Sequence, residues 1–353
     1  MKISSIVGAR PQFIKLAPLS KELRKYHEEV IIHTGQHFDE EMSQLFFNEL
    51  EINEPDYNLG ISGGYHGEQT GRMIIELEKV IIQEKPDLVI VFGDTNSTLA
   101  GSLVTSKLGI NSIHIEAGLR SFNRTMPEEL NRIVSDHTSD YLFAPTSTAM
   151  NNLKNEGLLN KAFLSGDIMV DSLISNIDKA KRISTIINRL KINLGEFYLL
   201  TLHRPYTVDN PQNLALILEK LSELDGEVIF PVHPRTKKVL VKNSIKVKET
   251  IRLIKPLSYL DFIVLENYAK KIITDSGGIQ KEAYILKKPC ITLRSETEWV
   301  ETIEEGWNIL VLPEDKNFID IILSFKPNKH QRKVFGNNVV EKMIAKIKVI
   351  LKS

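Results

Sequence analysis

Short runs of β-branched and other apolar residues alternate with longer amphipathic stretches along almost the whole of this sequence. Such alternation is typical of parallel strands connected by helices, because each crossover covers one face of the sheet. The first series of predicted strands covers residues 3–7, 30–33, 88–92, 112–115 and 141–144. The second series covers residues 197–202, 228–232, 251–254, 271–274, 290–293 and 309–311. The restart of the pattern predicts an α/β protein with two doubly wound parallel sheets.

The length of the chain also favours two domains, because 353 residues exceed what a single hydrophobic core usually supports. A polar and basic helix is predicted over residues 177–193, which places the boundary near residues 166–171. We therefore expect a first domain over residues 1–168 and a second over residues 169–338. The amphipathic segment 339–353 can pack on either domain, and we place it with the first. Two sheets that face each other leave a cleft at the carboxyl ends of their strands, where such sheets bind ligands.

The balance of charge excludes several classes of partner. Lysine and arginine together number 45, as do aspartate and glutamate, so no overall positive field favours nucleic acid or an anionic membrane. The apolar stretch near the start of the chain is too short for the core of a signal peptide. No later apolar run has membrane-spanning length. The one cysteine, Cys290, cannot form an internal disulfide and fits a reducing compartment. A cytoplasmic protein is expected.

Polar residues directly follow three predicted strands of the first half. Arg10 lies in the turn after the first strand and Lys15 lies one turn into the helix that follows, where they bind an anion or are ordinary surface cations. Asp94 and Glu116 follow two strands that are consecutive in sequence. If those strands are neighbours, the two carboxylates are paired, shift each other's pKa and divide acid and base roles. The alternative is that Asp94 or Asn96 caps a helix.

A further carboxylate candidate follows Pro127, a residue suited to the first turn of a helix. Glu128 and Glu129 would lie in that first turn, where the helix dipole stabilises negative charge, so capping is an alternative to catalysis for both. Glu128 and Arg132 are also spaced for an ion pair on one helix face.

The second half places a histidine after each of two strands, His203 beside Arg204 and His233 near Arg235. A single histidine is more often structural, but two at equivalent strand ends, each close to an arginine, favour a site for a diphosphate.

The most specific segment is a strand followed by Asp275, Ser276, Gly277 and Gly278 at the start of a helix. Glycines without Cβ atoms let backbone N–H groups approach phosphate oxygens, and Glu282 in the same helix can accept from ribose hydroxyls. The alternative is a tight turn in which Ser276 caps the helix.

Several motifs are missing from the sequence. It has no G-x-G-x-x-G after the first strand, no G-K-[ST] loop, no H-E-x-x-H and no paired C-x-x-C. These patterns carry dinucleotide, P-loop nucleotide and metal sites. We therefore expect chemistry on side chains, with neither cofactor nor metal.

Taken in order, these motifs resemble the non-hydrolysing UDP-N-acetylglucosamine 2-epimerases over nearly the whole chain. The resemblance rests on residues 8–11 with Lys15, 93–95, 116–120, 127–132, 203–204, and 275–278 with Glu282. It implies two Rossmann-like domains of the glycosyltransferase-B type with an interdomain cleft, and a homodimer. It also implies a reaction that needs no nicotinamide cofactor. The product would serve the synthesis of surface polysaccharide precursors. The C2 proton is abstracted, UDP leaves to give a 2-acetamidoglucal, and UDP is added back with protonation on the opposite face.

The resemblance also implies roles for individual residues. The family's catalytic carboxylates correspond to Asp94, Glu116 and Glu128, and its catalytic-site histidine corresponds to His203. The expected contacts to the UDP-sugar are Arg10, Lys15, His233, Ser276, Gly277, Gly278 and Glu282, with Phe262 stacked on uracil.

Two segments depart from the family pattern. Trp299 replaces a substrate-facing arginine, a variant similar to the branch acting on UDP-2,3-diacetamido-2,3-dideoxyglucuronate, which leaves two candidate sugars. The effector segment of many bacterial members is Gln-His-Arg-x, whereas residues 36–39 here read Gln-His-Phe-Asp, so activation by substrate is not expected. The alternatives from other classes are a glycosyltransferase of the same fold, a hydrolysing 2-epimerase and a sugar-nucleotide sensor.

Overall fold

The structure, a computed structural model, describes residues 1–36, 47–328 and 330–352. The chain divides into two compact units, Met1–Ser172 with Lys333–Ser353, and Leu173–Arg332. Helix Met169–Ile183 contains the boundary between them.

The first unit contains a parallel sheet in the order β3-β2-β1-β4-β5-β6-β7. Its strands are β1 (Lys2–Val7), β2 (Glu28–His33), β3 (Tyr57–Asn58), β4 (Leu88–Phe92), β5 (Ser112–Ile115), β6 (Tyr141–Ala144) and β7 (Ala162–Leu164). Its helices are α1 (Arg10–Leu23), α2 (His66–Glu84), α3 (Asn96–Leu108), α4 (Pro127–Thr138) and α5 (Ser147–Asn155), with a 3-10 turn at Leu159–Lys161. The direction of strand addition reverses between β1 and β4.

The second unit repeats this plan with the strand order β10-β9-β8-β11-β12-β13, all parallel. Its strands are β8 (Tyr198–Thr201), β9 (Val228–Pro231), β10 (Ile251–Ile254), β11 (Lys271–Thr274), β12 (Cys290–Thr292) and β13 (Asn308–Leu310). The remaining helices are α6 (Met169–Ile183), α7 (Ile186–Leu190), α8 (Pro205–Val208), α9 (Pro211–Leu221), α10 (Pro234–Lys242), α11 (Tyr259–Tyr268), α12 (Gly277–Ile285), α13 (Val300–Glu304), α14 (Phe318–Ser324) and α15 (Val339–Ile350). Strand addition reverses between β8 and β11.

The central strands are almost continuously buried because helices cover both faces of each sheet. All five residues of β4 are buried, and Val89 and Val91 pack with Met73 and Leu77 of α2 in one core cluster. The C-terminal helix α15 belongs to the first unit and contacts α1. The predicted α/β class with two doubly wound parallel sheets is therefore confirmed.

Two details differ from the sequence-based expectation. The helix predicted over residues 177–193 is correct only in part, because α6 already begins at Met169, the chain leaves helical geometry between α6 and α7, and α7 ends at Leu190. The Ser184 hydroxyl there contacts Asp261, a tertiary contact that helical periodicity does not reveal. The edge strands β3 and β7 were not predicted, since segments of two and three residues carry no readable alternation.

Candidate active site

Open α/β sheets bind ligands where strand order reverses, so the β1 and β4 ends mark a candidate site in the first unit. One buried side chain, Gln12, joins these two strand ends. Its Oε1 accepts from the Gly8 amide at 2.7 Å, and its Nε2 donates to the Phe92 carbonyl at 2.8 Å and to the Thr95 hydroxyl at 3.0 Å. Gln12 therefore fixes the distance between the two turns that carry Arg10 and Asp94, a role the sequence did not reveal.

Glu116 leaves the neighbouring strand β5 in a conformation that L-residues rarely adopt, with φ of +74°. Its carboxylate forms an ion pair with Lys15, and only 8% of the Lys15 side chain and 10% of the Glu116 side chain are exposed. A Cβ on Gly93 would lie 3.3 Å from both charged groups, so a side chain at this position would crowd the pair. Unusual backbone geometry at a strand end, combined with a nearly buried ion pair, is typical of a functional position.

Asp94 lies beside this pair along the same edge and contacts Arg132 of α4. The alternative that Asp94 or Asn96 caps the next helix is wrong, because Thr95 occupies the N-cap of α3 and accepts from the Thr98 amide. The Asp94 side chain is 33% exposed, which leaves its carboxylate accessible to a ligand. Each of the two carboxylates at this edge therefore has its own cation.

The two glutamates at the start of α4 differ in their surroundings. Glu129 is buried and accepts from the Ser121 and Phe122 amides at 2.9 Å, while Arg132 donates to it at 2.7 Å. These bonds make Glu129 a structural residue that holds the preceding loop. Glu128 is partly exposed and is the one of the pair accessible to a substrate.

A buried charged network lies behind the Gly93 turn. The two ring nitrogens of His114 lie 2.7 Å from the Asp136 carboxylate and 2.6 Å from the Gly93 carbonyl oxygen. Both partners are acceptors, so each ring nitrogen is placed to donate a hydrogen. Arg120 joins Asp136 at 2.7 Å and also binds Glu156 through two bonds of 2.7 Å. The network supports the turn that presents Asp94.

The charge on Asp136 follows from these contacts. Burial favours the neutral acid, but the hydrogen bond and charge of His114, together with Arg120, outweigh burial and lower the pKa of Asp136. Asp136 also accepts from the Gly118 amide at 3.0 Å, which fixes the loop after Glu116. One buried carboxylate thus supports both turns of the candidate site.

In the second unit, strand order reverses between β8 and β11, and Asp275 joins their ends. This fully buried carboxylate accepts from the His203 amide at 3.0 Å and the Arg204 amide at 2.9 Å. It also lies 3.3 Å from His203 Nδ1. A hydrogen on Nδ1 would leave Nε2 as the basic nitrogen of the neutral ring. His233, which follows β9, places its ring 6.3 Å from that of His203.

The turn after Asp275 has the geometry of an anion site. Ser276 occupies the N-cap position of α12, but its hydroxyl makes no capping hydrogen bond, so the capping alternative is not realised. A Cβ on Gly277 would lie 2.1 Å from the Glu298 carboxylate, which leaves no room for a larger residue without a shift. Gly278 is exposed, Glu282 is buried in the same helix, and Phe262 is partly exposed on α11.

Trp299, the residue that departs from the family pattern, is buried beside this turn at 2% exposure. Its indole Nε1 would lie 3.5 Å from a Cβ on Gly277, and Lys281 Nζ lies 4.0 Å from its ring centroid. Arg294 pairs with the neighbouring Glu298 at 2.9 Å. A lysine ammonium over the Trp299 ring and the Arg294–Glu298 pair therefore lie beside this turn.

Two other sequence features bear on the site. Gln36 accepts from the Ser97 amide at 3.0 Å, whereas residues 37–39 of the predicted effector segment lie outside the described residues. Within the part of the chain that the structure describes, no three His, Cys, Asp or Glu side chains are grouped so that they could hold a metal ion. Across those same residues, no helix has the length and apolar character needed to cross a membrane.

Comparison with known proteins gives a consistent result. Residues 21–348 match the family described as UDP-N-acetylglucosamine 2-epimerase. A Methanococcus maripaludis protein named UDP-N-acetylglucosamine 2-epimerase homolog is 54% identical over 93% of each chain. The UDP-2,3-diacetamido-2,3-dideoxy-D-glucuronate 2-epimerase of Pseudomonas aeruginosa is 48% identical over 88% of each chain. The crystal structure of the Methanocaldococcus jannaschii UDP-GlcNAc 2-epimerase with UDP-GlcNAc and UDP matches with a TM-score of 0.92 and 46% identity, covering 99% of this chain and 100% of that one.

Proposed function

Because the chain belongs to the UDP-N-acetylglucosamine 2-epimerase family and its reaction is the epimerisation of a UDP-sugar, we propose that it inverts C2 of a UDP-linked 2-acetamido sugar of the UDP-N-acetylglucosamine type. The predicted family and glycosyltransferase-B-like fold are confirmed. The observation that carries the proposed chemistry is the Lys15–Glu116 ion pair beside Asp94, at the strand reversal of the first sheet.

The first step requires a base, since a C–H bond next to an acetal carbon is weakly acidic. A carboxylate takes the C2 proton, the C–H electron pair forms the C1–C2 double bond, and UDP leaves C1 with the electrons of the C–O bond. In the second step, a UDP oxygen forms a bond to C1, and the electrons of the C1–C2 double bond take a proton at C2 from an acidic group on the other face. Asp94, Glu116 and Glu128 are the proposed acids and bases.

The leaving diphosphate must be stabilised as its charge develops. We assign this role to the second unit, where the uncapped start of α12 presents Ser276, Gly277 and Gly278, with His233 nearby and His203 held by Asp275. Arg10 and Lys15 are the proposed cations of the first unit. Glu282 is proposed to accept from ribose hydroxyls, and Phe262 to stack on uracil.

The mechanism predicts incorporation of solvent hydrogen at C2. Incubation of the UDP-sugar with enzyme in heavy water is expected to place one deuterium at C2 of both epimers, because re-addition draws its proton from a group that exchanges with solvent. Proton NMR and mass spectrometry measure this incorporation. Heat-inactivated enzyme is the control.

The same experiment separates the alternatives. A glycosyltransferase leaves the C2 hydrogen in place, and a hydrolysing epimerase releases free sugar with UDP. Retention of hydrogen at C2 in the inverted product would exclude elimination and re-addition.

The second candidate substrate is UDP-2,3-diacetamido-2,3-dideoxyglucuronate, which is favoured by Trp299 and by the 48% identity to the Pseudomonas aeruginosa enzyme. We expect UDP-N-acetylglucosamine to be the better substrate by at least about tenfold in kcat/KM, a ratio that differences in a few pocket contacts can produce. NMR assays of the two sugars under identical conditions measure this ratio. The opposite order would assign the enzyme to the uronate branch.

Two further parts of the proposal come from the family resemblance. We infer that the enzyme acts in the cytoplasm, which fits its buried free thiol at Cys290, and that it forms a homodimer.

A further inference from the structure

Glu266 is an acidic residue placed inside an apolar helix. It lies in α11 directly after the buried residues Ile263, Val264 and Leu265, and its own exposure is 0%. Both carboxyl oxygens are buried, and among the described residues neither has a hydrogen-bond donor. An ionised carboxylate without a donor is very costly in such a place, so this group must hold a proton or share one.

The neighbour able to share that proton is Glu282 of α12, the residue proposed to contact ribose. Glu282 is itself 5% exposed. Burial, followed by the charge and hydrogen bonding of Glu282, raises the pKa of Glu266 well above its usual value of 4.5. The Cys290 thiol of β12 interacts electrostatically with Glu266. Burial raises the pKa of this thiol to about 12, so the thiol adds no charge near neutral pH.

We propose that Glu266 is a positioning residue of the nucleotide site, whose protonated carboxyl donates a hydrogen bond to Glu282 and holds the Glu282 carboxylate ready for the ribose hydroxyls. This inference rests on the proposed UDP site. A carboxylate has several acceptor positions, so one oxygen of Glu282 can accept from Glu266 while the other serves the ribose.

Two physical effects make the shared proton useful for binding. Fixing the Glu282 side chain before UDP arrives reduces the conformational entropy lost on association. The proton also keeps the pair at a single negative charge, whereas two adjacent carboxylates would repel each other and the diphosphate of UDP. Affinity for UDP should therefore depend on the protonation of this pair.

The test is the Kd of UDP, measured by calorimetry for the full-length wild type, Glu266→Gln and Glu266→Met. The glutamine side chain is neutral and keeps an N–H donor, so its affinity is expected within about threefold of wild type, whereas methionine removes the donor and weakens binding about tenfold. Glu223→Gln, at an exposed site of the same unit, controls for loss of a carboxylate elsewhere.

The pH profile gives a readout that a purely structural role would not change. Wild-type affinity is expected to fall as pH rises through the raised pKa of Glu266, and this fall should be absent in Glu266→Gln. The stability of the fold should also fall as pH rises. The protonated Glu266 contributes fully below pH 4.5, the usual pKa of the group, and this contribution is lost as pH rises through the raised pKa of the folded state. Both variants should therefore unfold at higher temperature than wild type at alkaline pH.

The variant Glu282→Ala distinguishes failure of the proposed ribose contact from failure of the role given to Glu266. If Glu282→Ala binds UDP as wild type does, the proposed ribose contact is wrong. If Glu282→Ala loses affinity while Glu266→Met keeps the wild-type Kd and pH profile, the UDP site stands and the role given to Glu266 is overturned.

Discussion

Glu116→Gln is expected to lower kcat by about a thousandfold, the contribution typical of a positioned acid or base. Glutamine has nearly the same shape as glutamate, but its side-chain amide cannot take up or release a proton near neutral pH. Glu116 lies at a strand end with φ of +74°, in contact with Lys15 and close to Gly93. A residue held in this way is suited to proton transfer at one fixed position.

The measurement is turnover of the UDP-sugar by NMR, together with the rate of C2 deuterium exchange. A matched control is Glu76→Gln, which removes the carboxylate of an exposed Lys79 ion pair on α2 and is expected to keep normal turnover. Circular dichroism and thermal unfolding check that the fold is intact. Near-normal kcat for Glu116→Gln would make Glu116 a structural partner of Lys15 rather than a catalytic residue.

Asp136→Asn is expected to reduce the free energy of unfolding by about 3–5 kcal/mol, the usual cost of breaking a buried ion pair by removing one partner. Asparagine leaves Arg120 without its buried carboxylate and loses the charge that His114 faces. Turnover should fall as well, because the same network supports the Gly93 turn through the Gly93 carbonyl.

The effect of pH on this variant has a defined sign. The pKa of Asp136 is lowered in the folded state, so its contribution is present above its usual value of 3.8 and is lost as pH falls through the folded-state pKa. Urea unfolding at about neutral pH and in acid should show that wild type and Asp136→Asn converge in acid. Asp178→Asn, an exposed change on α6, should alter stability by less than about 0.5 kcal/mol. A loss below about 1 kcal/mol at neutral pH for Asp136→Asn would show that the network does not support the fold.

Much of the fold was predictable because its pattern is local. Eleven strands were predicted where the structure places strands, with ends that differ by two residues at most, since buried parallel strands are short apolar runs between turns. The break between α6 and α7 was missed because it depends on a contact between Ser184 and Asp261, which are 77 residues apart.

The candidate site was predictable in part. The carboxylates and histidines could be found because each directly follows a strand, and the carboxyl ends of parallel strands share one edge of the sheet. The supporting residues could not be found in this way. Gln12 and Asp275 act through contacts that span 83 and 72 residues, and Asp136 of helix α4 contacts His114 of strand β5. Nothing in their local sequence signals those partners.

By itself, the sequence determined the two series of strands and which polar residues stand at their ends, because hydrophobic periodicity and turn residues act over a few positions. Only the tertiary structure decided which charged side chains form pairs with each other. Glu116 pairs with Lys15, 101 residues away, because β1, β4 and β5 are neighbours. Among the described residues, Glu266 is buried without a donor in helix α11, which packs against α12. Such pairings depend on strand order and helix packing, which bring together side chains that are distant in the chain.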